Sequence, residues 1–346
     1  MKENNEQKAA LQALQGSLAE IPFVRVGKIT ALGSAADFQV ELRVGERSVK
    51  ILAQYKKNGQ PRLARQAVLE MKEMLSKGAQ TYGVFIAPYI SPVSAEICQQ
   101  AGIGYLDLAG NCLIAFDTIY IKRDGAPNVR VQRRDLRSLY SIKSERILRV
   151  LLTRAKQIWK TETLAESAQV SFGQVANVKK LLADREWLVP GEAGIRLSDP
   201  RVVLDEWAKQ YRFERNQVTG YYSLSPVAEC ESQLAELCQQ RMIRYALTSF
   251  SGAARLAPAV RYQRVTAYID GNLDVLANRL GWKRVENGAN IHLLTPYDAG
   301  IFFESQDVGG IQTVSPVQIY LDLQNQHSRA EEAAQSVRKV IEKSWQ

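Results

Sequence analysis

Three residues come nearest to a hydrolytic set. Asp37 stands where one strand-like run, Phe38–Val44, opens, and Gln54 and Lys56 stand where another, Val49–Tyr55, ends in ILAQYKKNGQP (51–61). An acid opening one strand, an acid closing the next and a lysine two residues later can hold Mg²⁺ and orient a hydroxide for attack on a phosphodiester. Strand alternation puts Gln54 and Lys56 on one face, with Tyr55 on the other. The placement is right, but an amide replaces the second acid, and Mg²⁺ prefers hard anionic oxygens. One carboxylate is thin support for catalysis. The expectation is no working catalytic residue, with Asp37, Gln54 and Lys56 as vestiges. The plainer reading is a strand end that borders solvent.

Other chemistry is scarce. Cys98, Cys112, Cys230 and Cys238 form no CxxC pair, and the two histidines are His292 and His327. No metal site and no cofactor is expected, and a reducing cytoplasm suits free thiols. No apolar run approaches the roughly 20 residues of a membrane helix. The start, MKENNEQKAALQALQ, lacks the apolar core of a signal peptide. A cytoplasmic protein with no membrane partner is expected.

The elements that would position the first set read in order α-β-β-β-α-β. A helix is expected over 6–19, then strands Phe23–Leu32, Phe38–Val44 and Val49–Tyr55, with a turn at Gly45-Glu46-Arg47. Ala64, Ala67, Val68, Met71, Met74 and Leu75 keep the i, i+3, i+4, i+7 spacing of an amphipathic helix, closed at Gly78. Strand Tyr82–Ala87, helix Ser94–Ala101 and strands Ile103–Leu108, Cys112–Phe116 and Ile119–Lys122 complete a mixed α/β domain over 1–124. It ends near Asp124-Gly125-Ala126-Pro127. This layout resembles the restriction-endonuclease-like, PD-(D/E)xK fold. Gln-x-Lys also occurs in some active enzymes of that superfamily, so a Mg²⁺-dependent nuclease stays open as the alternative.

Charge points to the middle of the chain. Of the net +9, residues 121–215 carry 20 Lys and Arg against 12 Asp and Glu, and the other 251 residues carry 25 against 24. Such concentration reads as a footprint for nucleic acid. Helices are expected over 142–155, 162–168, 171–184 and 200–213. Trp187-Leu188-Val189 and Ile195-Arg196-Leu197 form a hairpin across Pro190-Gly191-Glu192-Ala193-Gly194. That is a winged helix-turn-helix, placed at 125–215. In SERILRVLLTRA, Ile147, Leu148, Leu151 and Leu152 point inward, and Thr163 stands at capping-box distance from Glu166. In SFGQVANVKKLLADREWL, the core side is Phe172, Val175, Val178, Leu181 and Leu182, and Gly173, Gln174, Asn177 and Lys180 face out.

A recognition helix enters the major groove with its N-terminal residues nearest the bases. Gln174 and Asn177 suit adenine, Lys179, Lys180 and Arg185 suit phosphates, and Arg196 of the wing and Lys160 add cations. Ser171 and Gln174 have capping-box spacing too, so Gln174 has a structural alternative. A protein-docking role for the winged helix also stays open. The last part, 216–346, reads as a second α/β domain. Its helices are expected over 228–240, 252–260 and 272–280 and from Ala330, its strands over 243–248, 264–270, 290–294 and 300–304. Asp270 and Asp274, four apart, are not the tight Asp-x-Asp of a two-metal site. A capped β-to-helix turn is the expectation there.

GIGYLDLAGNCLI (102–114), the winged-helix block, YALTSFSGAARLAPAVR (245–261), IQTVSPVQIYLDLQ (311–324) and Glu331-Glu332-Ala333-Ala334 then occur in order. With them the multidomain chain resembles the AbiEi-type antitoxins, regulators of type IV toxin–antitoxin systems. The resemblance implies double-stranded DNA of its own promoter as a partner. It also implies autorepression, a role in phage defence and a nucleotidyltransferase-like toxin countered without a necessary stable complex. The nuclease-like beginning departs from shorter antitoxins of this kind, which start at the winged helix.

Overall fold

The computed structural model describes all residues except 1, 34–35, 77–79, 127–138, 191–192, 258–260 and 325–329, and no side chain before Glu6. The chain packs as two compact units, residues 1–137 with 180–186, and residues 138–179 with 187–346. Both are mixed α/β, and no described helix is long and apolar enough to cross a membrane.

The first unit is built on one sheet in sequence order: β1 (Val24–Ala31), β2 (Phe38–Val44), β3 (Arg47–Tyr55), β4 (Thr81–Ala87), β5 (Gly104–Asp107), β6 (Cys112–Phe116) and β7 (Ile119–Arg123). β1–β3 and β5–β7 are antiparallel meanders, and β3, β4 and β5 run parallel. The switch follows from the connections. β2 and β3 turn tightly at Gly45, where φ is +59°, whereas the parallel pairs need the crossover helices α2 (Pro61–Leu75) and α3 (Pro92–Gln100). Ala10, Leu14 and Leu18 of α1 (Lys2–Ala19) pack with Ile51, Ala53 and Tyr55. The α2 stripe Ala64, Ala67, Val68 and Met71 packs with Phe85, Ile103 and Tyr105. Covered on both faces, β3 is buried from Ile51 to Tyr55.

Helix α2 starts at Pro61, three residues before the apolar stripe, because proline at the first helical position loses no hydrogen bond. It ends at Leu75, and the expected stop at Gly78 falls outside the described residues, as do Pro127 of the expected domain end and Gly191-Glu192 of the wing turn. Gly59 has a packing reason. A Cβ there would stand 2.1 Å from the Tyr89 carbonyl oxygen, where the chain bridges to Ile90.

The second unit opens with α4 (Ile142–Thr153), α5 (Thr161–Ala168) and α6 (Phe172–Asp184), of which Lys180 onward is grouped with the first unit. The bridges Trp159↔Ile195 and Leu188↔Leu197 follow, then α7 (Pro200–Gln210). The second sheet has seven strands: β8 (Gln217–Tyr222), β9 (Arg244–Leu247), β10 (Val265–Asp270), β11 (Lys283–Arg284), β12 (Ile291–Thr295), β13 (Gln306–Val308) and β14 (Ile311–Thr313). Their order is β11-β8-β12-β10-β9-β14-β13. Its helices are α8 (Val227–Gln240), α9 (Ser249–Leu256), α10 (Leu273–Arg279), α11 (Pro316–Gln324) and α12 (Ala330–Trp345).

Several expectations are corrected here. Residues 300–304 are not a strand, and a 3₁₀ turn, Ala299–Phe302, takes their place because Asp298 accepts the Gly300 N–H and starts it. Thr163 does not cap α5. The helix begins two residues earlier, and the Thr163 hydroxyl donates back to the Lys160 carbonyl at 3.1 Å. Phe172 is not in the core but 59% exposed, because the first turn of α6 projects past the packing that buries Val175, Val178, Leu181 and Leu182. Strands β8, β11, β13 and β14 and helix α11 had no sequence expectation. Gly220 interrupts the apolar pattern of β8 because the Ala289 side chain fills the place of a Cβ.

Candidate functional site

Hydrogen bonding divides Asp37, Gln54 and Lys56 between two sets of partners. Asp37 accepts the Tyr55 N–H at 2.7 Å on one oxygen and the Gln7 amide of α1 at 3.2 Å on the other. Gln54, 4% exposed, instead donates to Glu70 of α2, and the Lys56 ammonium pairs with the same carboxylate at 3.0 Å. Burial raises the pKa of Glu70, but bonds from Gln54, Gln66 and Lys56 outweigh it and hold the group below its ordinary value. The second carboxylate near this strand end therefore comes from the helix, one face away from the partners of Asp37. Sequence reading missed Glu70; its signal is an acid on the α2 turn that packs over the end of β3. Among the described residues no three His, Cys, Asp or Glu side chains gather as a metal requires.

The expected nucleic-acid residues lie on α6 and its neighbours. Ser171 accepts the Gln174 N–H at 3.3 Å, one half of a capping box. The Gln174 side chain does not complete it. Its amide donates to the buried Ser144 hydroxyl of α4 at 2.8 Å, which ties the helix start to the first helix. Asn177, Lys179, Lys180 and Lys160 are exposed. Arg185 is half-buried and donates to the Leu181 carbonyl at 2.8 Å, and Arg196 is half-buried on the ladder, where its carbonyl accepts the Val189 N–H. The turn between α5 and α6 passes through Gln169 in the left-handed region, with φ 52°.

Behind this block lies a buried polar network that sequence reading did not single out. Arg149 of α4 is fully buried. Its guanidinium donates twice to the Gln318 carbonyl oxygen, at 2.7 and 3.0 Å, and once to the Tyr297 hydroxyl at 3.0 Å, and it lies over the Trp207 ring. Glu145, one turn earlier, accepts from Arg215 at 2.6 Å and from Tyr297. Gln318 donates on to Asp322, which also accepts from Tyr211, Tyr268 and Thr248. Burial pushes the Asp322 carboxyl up to about 6, and its four donors keep it from going higher. Arg146 adds a two-pronged pair to Asp298. α4 is thus joined to α11 and to the segment that follows β12 by charge-assisted bonds rather than by apolar contact alone.

Asp270 and Asp274 have separate partners. Asp270 pairs with Arg244, Asp274 accepts from Tyr221 and Arg284, and Asn272 caps α10 through the Val275 N–H. This is the capped turn expected from the sequence.

No curated protein and no solved structure matches the chain. Residues 196–342, a little under half of the chain, match the model of the family described as transcriptional regulator, AbiEi antitoxin, type IV TA system. The matched stretch takes in Trp207, Tyr297, Gln318 and Asp322 of the buried network. Over residues 196–342 the chain is similar to this family of antitoxin regulators.

Proposed function

We propose that the chain is a DNA-binding autorepressor and antitoxin of a type IV pair, read in three parts. Residues 1–124 form a restriction-endonuclease-like domain without cleavage, 125–215 a winged helix-turn-helix, and 216–346 the antitoxin domain. One observation carries the reading: α4, α5 and α6 as far as Lys179 pack in the same compact unit as the family-matched stretch. A DNA-reading module and a regulator domain built as one body suit a repressor. Lys160, Ser171, Asn177, Lys179, Lys180, Arg185 and Arg196 are proposed as its DNA contacts, with Gln174 anchoring the helix. The counterpart is a nucleotidyltransferase-like toxin, and co-expression should rescue growth from it.

The test is binding to the DNA upstream of the protein's own gene. Asn177→Ala should remove a base reader, costing about 1–3 kcal/mol and relaxing sequence preference. Lys180→Ala should weaken specific and non-specific DNA alike and flatten the salt dependence by about one contact. Both side chains are exposed, so circular dichroism should stay as in wild type. Wild-type affinity in both folded variants would move the reading face off α6 and favour protein docking.

A second reading, a Mg²⁺-dependent nuclease targeted by the winged helix, is favoured by Glu70 beside Gln54 and Lys56. We place it second because both oxygens of Asp37 are engaged elsewhere. With Mg²⁺ or Mn²⁺ the protein should leave duplex and single-stranded DNA intact. Cleavage that disappears in Asp37→Ala and Lys56→Ala would reverse the order.

A further inference from the structure

We infer that Phe172 reads a thymine methyl in the major groove, as a specificity residue at the start of α6. The inference rests on the DNA-binding reading proposed above and deepens it.

The outward surface of α6 is chemically uneven. Phe172, Gly173, Ala176, Asn177, Lys179 and Lys180 are exposed, and Val175, Val178, Leu181 and Leu182 are buried. In the two N-terminal turns, which approach the bases most closely in this docking mode, polar reading capacity is small. The Gln174 amide is turned inward onto Ser144. What remains there is Asn177 beside an apolar edge, Phe172 and Ala176, one helical turn apart.

That edge has room around it. A Cβ added at Gly173 would meet nothing nearer than the Ser171 hydroxyl at 4.0 Å. A phenyl ring that is 59% exposed on a helix whose other large apolar side chains are buried leaves apolar area in water. The two exposed lysines on the same helix favour a polyanion as the occupant over an apolar protein surface. On duplex DNA, the apolar group that the major groove offers is the thymine 5-methyl, and phenylalanine is among the side chains suited to it. Glycine and alanine beside the ring let the helix backbone come close to the base edges.

The experiment uses the full chain and the duplex upstream of its own gene, compared with the same duplex carrying deoxyuridine in place of every thymidine. Wild type should bind the uracil duplex about fourfold more weakly for each methyl it buries. Phe172→Ala should bind the thymine duplex more weakly by at least that factor and no longer distinguish the two duplexes. Phe172→Leu, which keeps an apolar contact, should retain part of the discrimination. The ring is exposed, so the thermal midpoint of both variants should match wild type. Equal binding of the two duplexes by wild type overturns the inference. So does a Phe172→Ala variant that discriminates like wild type, because the methyl is then read elsewhere. Wild type that fails to bind the upstream duplex at all overturns the DNA-binding reading itself, and this inference with it.

Discussion

Arg149→Ala is expected to destabilise the second unit by about 3–5 kcal/mol, the usual cost of removing one partner from a buried ionic network. The substitution leaves the Gln318 carbonyl oxygen and one bond of Tyr297 without their donor, and it opens a void under the Trp207 ring. Glu145 stays buried with Arg215 as its remaining close cation. Arg149→Met should cost less than alanine, because a well-packed apolar chain of similar length refills the space. The reporter is built in. All five tryptophans, Trp159, Trp187, Trp207, Trp282 and Trp345, lie in the second unit, so their fluorescence in urea follows that unit alone. An alanine variant with an unchanged urea midpoint would mean that Arg149 contributes nothing net. Since Arg149 holds α4 against α11, the alanine variant should also lose affinity for the upstream DNA, in step with its loss of stability.

Asp322→Ala should have an effect of similar size, with a pH signature that Arg149 lacks. Alanine leaves the hydroxyls of Tyr211, Tyr268 and Thr248 and the amide of Gln318 without their shared acceptor. Unsatisfied buried donors cost about 1–3 kcal/mol each when they find no new partner. Tyr211 and Gln318 still bond each other, which limits the total to about 3–5 kcal/mol. Burial pushes the Asp322 carboxyl up to about 6, so the folded unit binds this proton more tightly than the unfolded chain does. The contribution is complete below about pH 4, where an unfolded carboxyl titrates, and is lost as pH rises towards 6. About 2–3 kcal/mol is at stake over that window. Asp298 works in the opposite sense, because burial raises its pKa but Arg146 and the Gly300 N–H hold it below its ordinary value. The informative quantity is therefore the difference between wild type and Asp322→Asn. Wild type should lose stability relative to the asparagine variant between pH 4 and pH 6, and parallel curves would show that Asp322 does not titrate there.

Both residues had a signal in the sequence that amphipathic reading passes over. Arg149 sits in Ile147–Leu152, a run apolar on every side, and Asp322 sits in IYLDLQ, apolar on both faces of the helix. A helix apolar all round is buried all round, so an ion inside it must find partners. Sequence could demand those partners but not name them. Gln318 and Asp322 lie one turn apart, but Arg149 reaches Gln318 across 169 residues.

What the sequence determined by itself was local. Periodicity placed β2, β6 and the apolar stripe of α2 well, because alternation and the 3.6-residue repeat are properties of short stretches. It also placed Gln54 and Lys56 together at a strand end and Asn177 and Lys180 on the outer face of one helix. What only the tertiary structure decided was which groups share a neighbour. Glu70 arrives from α2 to take the bonds of Gln54 and Lys56, Gln7 from α1 holds Asp37 in another set, and Ser144 draws Gln174 inward. Phe172 fits an inward stripe on a helical wheel but stands in solvent, because the wheel assigns a direction and not the length of the surface that packs there. Sequence spacing fixes the direction of a side chain along its own element. The partner that meets it comes from a distant part of the chain and is set by packing.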